Sequence, residues 1–294
     1  MKKTNIIILL VFFVLKINAQ RVYTIRDSIT KEVIPYATIF FVHSNGGGLY
    51  SDEKGMVEIP DTIQQIKISH LSFNDKNIFC NKILNKEILL TQRKQLLKEV
   101  IIKNIKYKKK NIGFNNSKTI ANSDFGGASG FLIAVYIPYN NNWKETPIIT
   151  EINNKFKKNL FIKESYKSIL RFDLQLPGKI TGAPDGISLL NTDLTYKTTK
   201  FKSNLSIPLP LSINFPKEGV FIVMEWISDD ASIKWLNPSI ALTNVETTSY
   251  TWIKRKFKGE EWRNILNDPG LLRFKETIYK GKTINLCLGL TIIE

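Results

Sequence analysis

Glycoside hydrolysis asks for two carboxylates held about 5 to 10 Å apart. The second half of this 294-residue chain offers Asp173, Asp185, Glu225, Asp229 and Asp230. Asp185 precedes Gly186, a turn pairing, and Glu225 interrupts an apolar run where a lysine partner or water would satisfy it. Acyl transfer needs a nucleophile beside a base, yet Gly126-Gly127-Ala128-Ser129-Gly130 is not the Gly-x-Ser-x-Gly elbow, and the two histidines, His43 and His70, lie in the other half. Ser129 therefore reads as a loop residue. Zinc requires several Cys or His at short spacing, whereas this chain has two Cys, Cys80 and Cys287, far apart on strand-like runs and read as separate buried thiols. No wider oxygen-ligand pattern surrounds Asp229-Asp230 to suggest calcium. The residues thus assign no catalytic group, metal or cofactor.

Aromatic chemistry is more suggestive. All five tryptophans fall in the second half: Trp143, Trp226, Trp235, Trp252 and Trp262. Exposed rings stack on sugar faces, and Trp143, with Tyr139, lies in the polar loop Tyr139-Asn140-Asn141-Asn142-Trp143-Lys144. These two are the candidate ligand-binding residues. Trp226 and Trp252 sit in strand-like runs and read as core.

What positions these residues begins with the amino terminus. Lys2 and Lys3 precede an apolar run over 6–15 and a small residue, Ala19, which is the pattern of a secretory signal peptide ending before Gln20. Ten apolar residues are about half of what a membrane-spanning helix needs. No Cys follows the run to carry lipid, and no later run approaches a span. The expectation is an exported chain of 275 residues, in the periplasm, at the outer-membrane surface or outside the cell, with no transmembrane segment after cleavage. Its net charge, +16 in full and +13 without Lys2, Lys3 and Lys16, favours peripheral contact with anionic surfaces. Nucleic acid is not an expected partner of an exported chain without a nucleic-acid motif.

From 20 to 102 the chain reads as short strands (22–26, 36–43, 56–59, 63–69, 77–84 and 86–90) rich in Ile, Val, Phe and Tyr and punctuated by turn residues. Lys106-Tyr107-Lys108-Lys109-Lys110 marks a basic linker over 103–111, extended by like-charge repulsion. Residues 112–294 show further strand-like runs, the clearest at 131–137, 169–176, 194–196, 219–227, 248–253 and 283–292, with no sustained helical period. Pro208-Leu209-Pro210 suits an edge or loop. The fold class expected is all-β: two β-sandwiches, the second antiparallel and jelly-roll-like.

Three segments carry a family resemblance. Asp27 to Ile39 is similar to an opening strand, turn and Pro-x-Ala strand, with Pro35-Tyr36-Ala37 in place. Gly48-Leu49-Tyr50-Ser51-Asp52-Glu53-Lys54-Gly55 is similar to a Gly-x-x-Thr-Asp-x-x-Gly hairpin with Ser for Thr, and Ile66-Lys67-Ile68-Ser69-His70-Leu71-Ser72-Phe73 to an Ile-x-Ile-Ser-x-x-Gly-Tyr strand, followed by Glu99-Val100-Ile101-Ile102. In this order they resemble the carboxypeptidase-regulatory-like domain, a transthyretin-like β-sandwich of exported proteins in Gram-negative bacteria. Tyr23 and Ser72 depart from it, each standing where the family usually has Gly. The resemblance implies shape rather than peptidase chemistry, and physics explains Asp52 and Gly55 as turn structure: an acceptor for local backbone N–H groups and a residue free to adopt positive φ. The same domain often precedes the barrel of outer-membrane receptors, which takes repeated strands of about ten residues; a stand-alone exported protein is the expectation here. The second half resembles an uncharacterised sandwich more faintly, through Phe172-Asp173-Leu174, 182–190 and 219–226.

The combined expectation is a non-catalytic binding or structural module of the cell envelope, with a polysaccharide or an envelope protein as partner. The alternative is a carbohydrate-active enzyme using carboxylates of the second half.

Overall fold

The computed structural model describes residues 21–44, 46–93, 108–158, 168–198, 200–228, 236–246, 248–268 and 283–294. The leader, the segment 99–102, Lys106 and Tyr107 of the lysine run, Asp229, Asp230 and Trp235 lie outside them. Strands dominate, joined by turns and three single-turn 3-10 helices among the described residues, so the chain is all-β. No helix among them is long and apolar enough to cross a membrane.

Residues 21–90 form a small sandwich. One sheet sets Arg21–Asp27 between Met56–Ile59, antiparallel, and Glu87–Leu90, parallel. The other runs Gly48–Tyr50, Thr38–Phe41, Gln65–His70 and Phe73–Phe79 in spatial order. Strand alternation puts Ile25, Ile39, Ile59, Ile66, Ile68 and Ile88 between the two sheets, all with no solvent exposure. The same alternation leaves Thr38, Phe40 and Tyr50 on the outer face of the four-stranded sheet. The turn after Tyr50 is closed by Asp52, whose Oδ1 accepts from the N–H groups of Lys54 and Met56, and by Gly55 at φ +71°.

The rest builds a larger sandwich of two seven-stranded, antiparallel sheets. In the first, Pro184–Ser188, Ile169–Pro177, Val220–Ile227, Phe131–Ile137, Thr251–Arg255 and Arg263–Asn264 follow one another, with Leu194–Lys197 also on Ile169–Pro177. The second holds Leu236–Thr243, Ile148–Lys157, Leu288–Ile293 and Lys109–Gly113 in line. Lys109–Gly113, assigned largely to a linker by its charge, is therefore a strand of this sandwich. Asn204–Asn214, which carries Pro208 and Pro210, pairs among the described residues only with Ile148–Lys157, an edge position where a missing N–H costs no ladder bond. Its chain crosses between the sheets repeatedly, and Phe172, Met224, Trp226, Ile240 and Leu290 meet in the core.

Val220–Ile227 is buried along its whole length. One face, with Ile222, Met224 and Trp226, meets the core; the other carries Phe221, Val223, Glu225 and Ile227 and is covered from outside. The outer sheet of the small sandwich supplies part of that cover.

Candidate functional site

Where the two sandwiches meet, charged residues are buried side by side. Ile169–Pro177 alternates apolar residues toward the core with Arg171, Asp173 and Gln175 on the outer face, and Glu225 stands directly opposite Arg171 on the neighbouring strand. Arg171 is 8 % exposed and Glu225 3 %. Desolvated charges of this kind persist only when paired and hydrogen-bonded.

Both sandwiches provide the partners. Arg171 grips Asp193 with two nitrogens, Nε to Oδ1 at 2.7 Å and Nη2 to Oδ2 at 3.0 Å, the bidentate fork that a guanidinium makes and an ammonium does not. Nη2 also donates to the carbonyl of Tyr36 in the small sandwich at 2.6 Å, while Nη1 reaches Glu225 Oε2 at 3.4 Å. Glu225 Oε1 accepts from the Tyr50 hydroxyl across the seam and pairs with Lys256. His70, at the end of Gln65–His70 where the register shifts, takes the Ser72 N–H on Nδ1 at 3.2 Å. That places the ring proton on Nε2, which faces Asp193 Oδ2 at 3.3 Å. Two cations and two carboxylates are thus balanced in one buried patch, tied by a phenol, an imidazole and a backbone carbonyl from the other sandwich.

The acidities follow from this packing. Burial alone would raise the carboxyls of Glu225 and Asp193; Lys256 and Arg171 hold Glu225 below the usual range, and Arg171 and His70 do so for Asp193. The Tyr50 phenol is pushed well up by burial and by the Glu225 charge, so it remains a donor. Lys256 is lowered by burial and by Arg171, against the pull of Glu225. Asp173 differs. It accepts from the Leu174 N–H at 2.8 Å, from the Ser188 hydroxyl and from Gln175 Nε2 at 2.7 Å, yet burial outweighs these bonds and raises it to about 6.

Apolar contact completes the seam. Phe257 of the large sandwich packs edge-on to Tyr50 and Phe40, and its carbonyl accepts from the Gly47 N–H at 2.8 Å. A Cβ on Gly48 would lie 2.3 Å from the Phe257 ring, so this close approach requires glycine. Tyr36, Tyr50, Ile169 and Ile227 cluster beside it. A cavity of about 280 Å³ opens along the same seam between Thr38, Ser69 and His70 on one side and Asp173, Gln175 and Glu225 on the other.

The structure distributes the sequence candidates unevenly. Trp143 is half-buried rather than presented as a platform: its ring packs edge-on to Tyr139 and Phe215, with centroids 4.9 and 5.0 Å away, and its buried indole nitrogen has no hydrogen-bond partner among the described residues. It borders a separate cavity of about 560 Å³ with Lys110, Asn142, Lys144 and Glu294. Trp226 is fully buried, its Nε1 donating to the Pro238 carbonyl at 3.0 Å, and a Cβ on Gly127 would strike its ring. Trp252 is half-buried on the outer face, edge-on to Phe221. Ser129 exchanges hydrogen bonds with the backbone of Ser228 and has no histidine beside it among the described residues. Cys80 and Cys287 are free and buried. Among the described residues no three His, Cys, Asp or Glu side chains gather as a metal site would require. Asp173 and Glu225, both sequence candidates, do share one sheet face, diagonally across neighbouring strands at a spacing of about 7 to 8 Å.

Arg171, Asp193, His70, Tyr50 and Lys256 carry the seam and were not singled out by sequence reasoning. The available signal was the polar alternation Arg171-Phe172-Asp173-Leu174-Gln175 in an otherwise apolar strand. In comparisons with known proteins the chain matches no family model, no curated protein and no solved structure.

Proposed function

We propose that the protein is an exported, non-catalytic binding or structural module of the cell envelope, in which a transthyretin-like sandwich of the carboxypeptidase-regulatory-like type is fixed onto a larger one. The observation that carries this reading is the buried seam. Glu225, the most enclosed carboxylate there, has both oxygens engaged, by Tyr50 and Lys256 on one and Arg171 on the other, and three of the groups that close the patch, the Tyr50 hydroxyl, the Tyr36 carbonyl and the His70 ring, come from the opposite sandwich. Such an arrangement holds surfaces in fixed relation, with both Glu225 oxygens already engaged by protein groups. The leader pattern supports export, and the basic balance supports contact with anionic envelope surfaces. A polysaccharide or an envelope protein is the partner this reading expects.

One observation favours the enzyme. Asp173, raised to about 6, and Glu225, held low, are two carboxylates pushed apart in acidity on one face, which is how an acid and its partner are divided in glycosidases. Incubating the protein with a panel of neutral and acidic polysaccharides and assaying for reducing ends tests both readings. The module releases none; release that disappears in Asp173→Asn and Glu225→Gln would establish the enzyme.

A further inference from the structure

The seam cavity contains a group with no structural employment. Thr38 is 3 % exposed, lines the cavity, and its hydroxyl makes no hydrogen bond among the described residues. A hydroxyl that no protein group engages and that opens onto the cavity is available to a ligand there. Further unspent donors face the same space. Gln175 gives one N–H to Asp173 and takes the Gly186 N–H on its carbonyl, which leaves its second N–H. Lys256 pairs with Glu225 and has further protons on the same ammonium.

Charge narrows the ligand. Arg93, Arg171 and Lys256 face Asp75, Asp173 and Glu225 around the cavity, a balance that favours neither an anion nor a cation. Leu132 and Val223 add an apolar patch beside these donors and acceptors. Fixed donors, fixed acceptors and a small apolar floor are what a ring of hydroxyls with one C–H face requires. The volume, about 280 Å³, is near the lower limit for small-molecule sites, roughly 300 Å³.

From this geometry we infer that the cavity between the sandwiches binds a single neutral pyranose, as a free sugar or as the terminal residue of a glycan, with the Thr38 hydroxyl as one of its contacts. The inference rests on the binding-module reading and gives it a ligand site away from Trp143. Titrating the full-length protein with glucose, galactose, mannose and N-acetylglucosamine and with their methyl glycosides, followed by ligand-observed NMR, tests it. At least one of these sugars binds at millimolar affinity or better, Thr38→Ser retains binding, and Thr38→Val weakens it about tenfold while remaining folded. Binding of the glycoside as well as the free sugar identifies a glycan terminus; binding of the free sugar alone identifies a soluble ligand. No binding across the panel, or equal binding by Thr38→Val, overturns the site. Either failure leaves the module reading intact, whereas reducing ends released from a polysaccharide would overturn that reading and not the sugar site.

Discussion

The Trp143 loop and the seam between the sandwiches present opposite relations between a residue's neighbours in sequence and in space. Trp143 is surrounded in the chain by Asn and Lys, but in space by Tyr139 and Phe215. Glu225 is surrounded in the chain by Met224 and Trp226, but in space by Tyr50, Arg171 and Lys256. A polar context did not expose the first, and an apolar context did not leave the second without charged partners. In a strand, the side chain two positions away and the one across the ladder decide the environment; the adjacent residue points to the other face.

The widest gap between these regions should appear on removing a buried charge. Glu225→Ala leaves Lys256 and part of Arg171 uncompensated, and should lower stability by about 3 to 5 kcal/mol in denaturant unfolding. A loss within about 1 kcal/mol, the usual size for an exposed ion pair, would place the patch in water.

The pH dependence sharpens the same contrast. Asp173 has a folded value of about 6 against 3.8 for the unconstrained group, so the native state holds its proton more tightly than the unfolded chain does. The stability tied to that proton is present below about pH 4 and is lost as pH rises through 6, about 3 kcal/mol in all. Glu225 and Asp193, both lowered, have the reverse sign, and their contribution is lost only on acidification. Asp173→Asn should flatten the slope between pH 4 and 6; an unchanged slope there would mean that Asp173 is ionised and solvated.

Smaller effects belong to the turn and the loop. Gly55→Val places a β-branched residue at φ +71° with its Cβ 2.8 Å from the Ile25 carbonyl, and should cost about 1 to 3 kcal/mol, read from the denaturant midpoint. Trp143→Ala removes a half-buried ring from Phe215 and Tyr139, for an expected loss of about 1 to 2 kcal/mol. If Trp143→Ala instead leaves stability unchanged and abolishes sugar binding, the loop and not the seam is the ligand site.

Much of the architecture was legible because period-2 alternation and turn residues are local signals. Met56–Ile59 and Glu87–Leu90 coincide with their apolar runs, and Pro208 and Pro210 fall on an edge strand. Asn204–Asn214 and Ile148–Lys157 were harder to see: the first is mostly exposed and carries two prolines, and the second is interrupted by Asn153 and Asn154. Of the seam, only Asp173 and Glu225 could be marked in advance. His70 and Asp193 lie 123 positions apart, and which residues face one another across two sandwiches is set by docking, for which no local pattern exists.

The buried seam should make the two sandwiches one cooperative body. Scanning calorimetry of the full-length protein and of Arg171→Met at neutral pH tests it most directly. The intact protein should unfold in one transition with equal calorimetric and van't Hoff enthalpies, and Arg171→Met should split it into two or lower it by several degrees. Two separate transitions in the intact protein, both unmoved by Arg171→Met, would contradict it.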